Sequence, residues 1–217
     1  MNRLLRLLVA SSLVAGAGVA LPALTGYAVA QAADGAATKV VRAANDTIGG
    51  LLRKQVAAGS DAEKKAAAAV TASVRDFLDI EELGQRAMVD SWGTMTAAQR
   101  TEFLGLLRSL IEANYVKGLR SNLDYTVAYV GEAAGPDGAR VVKTTITSTR
   151  KGRPVTIKVD YVVRSSGPKQ ALRCYDVSTD GVSLVDNYRA QFRKIVAKDG
   201  VDGLIRRMKA KQAKAGL

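Results

Sequence analysis

Asp176, Asp180 and Asp186, with Ser183 among them and Cys174 just ahead, come nearest in this chain to a reactive cluster. Carboxylates so close together could hold a divalent cation, and a serine or thiol beside them could act as a nucleophile. Neither chemistry finds its remaining parts. The aspartates sit in turn and helix-flank contexts without a coordination spacing, so no metal site is expected. Ser183 has no base, because the chain contains no histidine. That absence removes the usual general base, the commonest metal ligand and every triad built on imidazole. Ser183 reads instead as a helix N-cap whose oxygen accepts from the first helical N–H groups, and Cys174 as a small buried hydrophobe in a strand. With no acid–base constellation, no catalytic residue and no cofactor are assigned, and an enzyme is not expected.

The elements that position these residues follow from the rest of the chain. The first residues, "MNRLLRLLVASSLVAGAGVALPALTGYAVAQAAD", carry Arg3 and Arg6, then an apolar run diluted by Ala, Gly and Ser, then the small-residue pattern Ala28-Val29-Ala30. This is the pattern of a secretory signal peptide over residues 1–32, cut near Ala30 or Ala32. An exported domain over residues 33–217 is the expectation, long enough to bury roughly two-thirds of its unfolded surface. The single cysteine forbids an intrachain disulfide although export would permit one, so packing must supply stability. The net charge is +12, and from Arg193 to Leu217 eight Lys or Arg face two Asp. Such a tail suits an anionic surface.

Helical spacing of Val41, Ala44, Ile48, Leu51 and Leu52 predicts a helix over 38–57, weakened at Gly49 and Gly50. Ser60 and Glu63 fit a capping box before a second helix that runs to about Asp76. Phe77 to Trp92 suggests a short third helix. Thr96 and Gln99 form another box, opening the longest helix, 97–120, whose apolar stripe is wider than a one-sided surface helix needs. Beyond Ser121 the period changes to two. In "VTIKVDYVVR", Val155, Ile157, Val159, Tyr161 and Val163 share one face. Tyr125 to Tyr129, Val141 to Thr149 and "QALRCYDV" give three more strands, separated by turn residues at 135–138, 151–154 and 165–168. Short links imply a four-stranded antiparallel meander. Two helices close the chain, the first between the Asp180-Gly181 and Asp199-Gly200 turns and carrying Leu184, Val185, Tyr188, Phe192 and Ile195 on one stripe. The fold class is α+β: a four-stranded antiparallel sheet covered by several helices.

A sheet with one clean apolar face must be covered. The covering helices either fill a solid core or enclose an apolar cavity of the kind that lines ligand sites, and periodicity does not separate the two.

Three stretches, "WGTMTAAQRTEFLGLLRSLIEANYVKGL", "CYDVSTDGVSLVDNYRAQF" and "DGVDGLIRRMKAK", resemble the signatures of the MlaC, or toluene-tolerance Ttg2, family of periplasmic phospholipid-binding proteins. The resemblance runs in order along nearly the whole exported region, with one departure at Leu172, where the family usually places a tryptophan. It implies a periplasmic lipid carrier that shuttles phospholipid between inner and outer membranes, its sheet and helices clasping the acyl chains in an apolar pocket. The implied partners are phospholipid, an inner-membrane ABC lipid transporter complex with its MCE-domain protein, and an outer-membrane lipoprotein complex; no nucleic acid is expected. Carried over by position, the implied lining is Trp92, Phe103, Leu107, Leu110, Val127, Val142, Ile157, Val159, Tyr161, Leu184, Tyr188 and Phe192. Alternatives are a hopanoid-type ligand in the same fold, or a basic module with a solid core that binds anionic surfaces through its C-terminal helix.

Overall fold

The computed structural model describes residues 34–54, 56–117, 125–150 and 153–214; the expected signal peptide lies outside them. Helices α1 (Ala36–Leu52), α2 (Asp61–Phe77), α3 (Ile80–Ala87), α4 (Val89–Trp92) and α5 (Ala97–Val116) precede strands β1 (Tyr125–Ala134), β2 (Arg140–Arg150), β3 (Arg153–Ser166), β4 (Ala171–Thr179) and β5 (Val182–Ser183). A last helix, α6 (Leu184–Lys214), closes the chain and is broken at Gly200, whose φ of 69° and ψ of 178° are not helical. The Asp199-Gly200 boundary expected from sequence is therefore a kink between two helical segments, not a loop.

The sheet is an antiparallel meander in the order β1-β2-β3-β4-β5. It has five strands where the sequence predicts four. The fifth arises because Asp180 and Gly181 both take positive φ, 48° and 82°, as primed two-residue hairpin turns require. The chain then folds straight back, and Val182 and Ser183 pair with Thr179 and Ser178 before the helix starts. The predicted inward face of β3 holds: Ile157, Val159, Tyr161 and Val163 are buried, while Thr156 and Lys158 between them are exposed.

Helix starts follow the local signals. Thr96 and Gln99 form the full reciprocal capping box. At α2 only half of the expected box forms: the Ser60 oxygen accepts from the Glu63 N–H at 3.1 Å, but the Glu63 carboxylate accepts from Gly59, not from Ser60. The predicted single helix after α2 is instead split. Leu78 first makes a parallel bridge to Cys174, and Asp79 caps α3 by accepting from the Glu82 N–H at 3.1 Å. Helix α1 runs unbroken through Gly49 and Gly50 and stops at Leu52, short of the expected end.

One apolar cluster joins all layers. Val41, Val70, Val74, Leu83, Phe103, Leu107, Val142, Val159, Val163 and Leu204 each expose at most 1% of their surface. At about 25 cal/mol per Å² of apolar surface, this joint burial of helix and sheet faces is the main force closing the domain.

Candidate functional site

The three aspartates that opened the sequence question go to three separate tasks. The Asp176 Oδ2 accepts from the Ser183 hydroxyl at 2.7 Å and its Oδ1 from the Val185 N–H at 3.0 Å. Ser183 Oγ in turn accepts from the Asp186 N–H at 3.1 Å, the predicted N-cap. Asp180 accepts from the Lys158 N–H at 2.9 Å and fixes the hairpin turn. Asp186 pairs with Arg189. No group of His, Cys, Asp and Glu among the described residues could hold a metal ion. The effect of this network is mechanical: β4 grips the first turn of α6, so the aromatic stripe of that helix is aimed across the sheet.

Of the twelve implied lining residues, nine are buried in the common cluster: Phe103, Leu107, Leu110, Val142, Ile157, Val159, Tyr161, Tyr188 and Phe192. Phe192 is the junction. Its ring meets Phe103 edge-on at 5.5 Å and stacks on Tyr188 at 5.3 Å, arrangements aromatic pairs prefer. The other three are half-buried. Trp92 lies under the Arg100 guanidinium, 5.1 Å from its ring centroid. Val127 sits on β1 opposite Ile146, and Leu184 opens α6.

Polar anchors missing from the sequence reading frame this interior. Asn45 of α1 donates to the Tyr129 hydroxyl and accepts from the Tyr161 hydroxyl, both at 3.2 Å. Thr38 donates from N and Oγ1 to Glu132, at 3.0 and 3.1 Å, and Arg140 donates to the same carboxylate at 2.8 Å. Burial pushes the Glu132 carboxyl up, but the hydrogen bonds from Arg140 and Thr38 prevail and hold it below the usual carboxylate range. Gly49 allows the close approach of Tyr125: a Cβ there would lie 2.7 Å from the Tyr125 hydroxyl. Helix α1 is thus seamed to β1 by polar contacts, whereas α5 and α6 meet through an apolar contact with polar ties on its exposed or half-buried edge. Asp79 had a readable signal, an acidic residue three positions before Glu82. Asn45 and Glu132 had none, since their partners are far away in the chain.

Burial pushes the thiol of Cys174 up, with the Asp176 charge adding to the effect, as expected of an inert interior cysteine. Burial likewise raises Tyr115 and Tyr161, and lifts Tyr188 to about 12. These tyrosines are therefore neutral, and Tyr161 alone of the three has a hydrogen-bond partner among the described residues, Asn45.

Two grooves open on the surface between helices. A groove of about 210 Å³ lies between α3, α4 and α6, lined by Met88, Asp90, Ser91, Arg193 and Val196 among others, with Asp90 and Arg193 in an ion pair at 2.7 Å. It contains none of the implied lining residues. The second, about 100 Å³, opens between α5 and α6 and is lined by Leu107, Leu110, Tyr188, Phe192, Ile195, Leu204 and Met208, with Gln191, Arg207 and Lys211. Four implied residues meet here. Both volumes fall below the roughly 300–1,000 Å³ of typical small-molecule sites. No helix among the described residues is long and apolar enough to cross a membrane.

Comparison with known proteins gives two findings. The family described as MlaC protein matches residues 42–210. Among solved structures, a phospholipid-binding protein from Ralstonia solanacearum, in complex with a phospholipid, is 26% identical with a TM-score of 0.68, the match covering 85% of this chain and 100% of that one. A comparison with curated proteins finds no match.

Proposed function

The chain belongs to the MlaC family, and from that premise we propose that it is a periplasmic phospholipid carrier, the soluble component of an ABC-type lipid transport system. The observation that carries this reading is the convergence of Phe103, Leu107, Val142, Val159, Tyr188 and Phe192 on one interior between sheet and helices, in a fold similar to that of a relative in complex with a phospholipid. Its acyl chains would lie between the inward faces of β2 and β3 and the stripes of α5 and α6.

Energetics constrain how such a carrier works. Burying about 30 methylenes of two acyl chains is worth roughly 25 kcal/mol against water, at ~0.8 kcal/mol each. A bilayer already offers the same burial, so net transfer between membrane and protein must lie near balance. The closed interior fits this: with pockets of only about 100 and 210 Å³, the protein re-forms apolar contacts when empty, which offsets the loss of the lipid. Loading then requires a docking event that parts α5, α6 and the sheet. The docking partners in this reading are an inner-membrane transporter complex with its MCE-domain protein and an outer-membrane lipoprotein complex.

The test is mass spectrometry of the gently purified exported protein. Phospholipid at near-stoichiometric amounts supports the carrier; a lipid-free protein that also takes up none from vesicles overturns it. A polycyclic lipid in its place would shift the reading to a hopanoid-type carrier.

A further inference from the structure

The α5–α6 cleft combines three features that a closing core contact alone does not require. Its floor is apolar, formed by Leu107, Leu110 and Phe192. Its rim carries Arg207 and Lys211, one helical turn apart and so on the same face of α6. Arg207 is held by Asp199, while Lys211 has no acidic partner among the described residues. Tyr188 also lines the cleft; its side chain is 6% exposed, and its hydroxyl has no hydrogen-bond partner among the described residues without being fully buried. A ligand oxygen can take the place of water as its acceptor.

Resting on the phospholipid-carrier reading, we infer that this cleft is the headgroup end of the site: the lipid phosphate lies between Arg207 and Lys211, and the Tyr188 hydroxyl donates to a glycerol ester carbonyl behind it. The chains continue inward past Phe192 toward Phe103 and the sheet. The cleft combines cations, a hydroxyl and hydrocarbon, the kinds of group that complement the phosphate, ester carbonyl and chains of a phosphate-bearing diacyl lipid. Charge-assisted contacts are about twice as strong as neutral ones, so the rim selects phosphate-bearing lipids over uncharged lipids with the same chains. Chain burial alone would accept both.

The experiment uses the lipid-stripped exported protein incubated with vesicles containing phosphatidylglycerol and diacylglycerol of matched chains, bound lipid being quantified by mass spectrometry. Wild type should favour the phospholipid, and R207Q/K211Q should lower that preference about tenfold, the effect of losing roughly one charge-assisted contact. Y188F should leave the preference unchanged but reduce retention of ester-linked lipids about fivefold, with ether-linked analogues, which lack the carbonyl, unaffected. An unchanged preference in R207Q/K211Q overturns the phosphate assignment. Equal losses of ester and ether lipids in Y188F overturn the role of the hydroxyl, because a packing fault would act on both. If wild type takes up no lipid of either kind, the carrier reading itself fails and this inference with it. Loading with unchanged preference in R207Q/K211Q and unchanged retention of ester-linked lipid in Y188F removes the cleft and leaves the carrier intact.

Discussion

Phe192→Ala separates a wall that faces a ligand from a plug that fills a core. Phe192 exposes 6% of its surface and bridges Phe103 and Tyr188. Truncating a buried phenylalanine costs about 3–5 kcal/mol through lost transfer energy and the cavity left behind, and two aromatic pairs at ~0.5–1.5 kcal/mol each place Phe192 toward the upper part of that range. In the lipid-free protein a loss of about 4 kcal/mol is therefore expected, measured by urea denaturation with the midpoint and slope fitted together. The lipid-loaded protein should lose less, since an acyl chain can enter the space the ring vacated, and a ligand stabilises the folded state in proportion to its affinity for that state. A difference of at least 1 kcal/mol between the two losses is the expected signature. Equal losses in both states would mean that Phe192 packs only protein, and the pocket-wall reasoning would fall. A lipid-free loss below about 1 kcal/mol would contradict the packing itself.

Asp176→Ala should destabilise by about 1–3 kcal/mol, because it leaves Ser183 and the Val185 N–H without their acceptor; a thermal melt matching wild type would exclude the anchoring role. Gly49→Ala gains about 1 kcal/mol of helix propensity yet should lower stability, since its Cβ would sit 2.7 Å from the Tyr125 hydroxyl; paired removal in G49A/Y125F should restore it. Glu132 has a depressed carboxyl in the folded state, so its contribution is fully present above the ordinary carboxylate pKa of about 4.3 and is lost as pH falls through the lower folded value. Wild type should therefore show a steeper acid loss of stability below that pH than E132Q, and parallel curves would refute the contribution. Cys174 is buried, with its thiol pushed up, so native protein at pH 8 should resist a thiol reagent that labels it rapidly in urea; fast native labelling would contradict the packed interior.

What the sequence made legible was whatever depends on neighbours in the chain. The wide stripe of α5, the alternation in β3 and the Thr96 cap are local consequences of side-chain size, branching and turn geometry, and the structure places each as read, while the Asp199-Gly200 boundary becomes a kink within α6. Local rules failed in two ways. The Glu63 carboxylate reached the Gly59 N–H, four residues back, where the capping box called for Ser60, and the helix expected from Phe77 onward began only at Ile80, after Leu78 had bridged Cys174, almost a hundred residues away. The Asp180-Gly181 turn was read as a helix boundary, but its two positive φ values also add a strand.

The candidate site divides along the same line. Apolar positions on the inward faces were readable, since periodicity assigns them to one side of each element. Asn45, Glu132 and Asp176 were not, because a polar residue reveals its role only through the partner that satisfies it, and those partners lie on other elements. This matters for function more than for fold. A carrier in near balance with a bilayer gains nothing from a stronger apolar interior; what it needs is an enclosure that opens at one place and holds at the others. The polar seam of α1 on β1 and the Asp176 grip on α6 hold two sides of the interior by specific hydrogen bonds. Outside its apolar packing the α5–α6 contact is tied by Gln99 to Asp202 at 2.8 Å, by Gln212 to Ser109 at 3.1 Å and by the ion pair of Lys209 with Glu102 at 2.5 Å. All three lie on exposed or half-buried groups where water competes, and exposed ion pairs contribute about 0–1 kcal/mol. The side of the domain that can part at least cost is therefore the one where Tyr188, Arg207 and Lys211 surround the cleft.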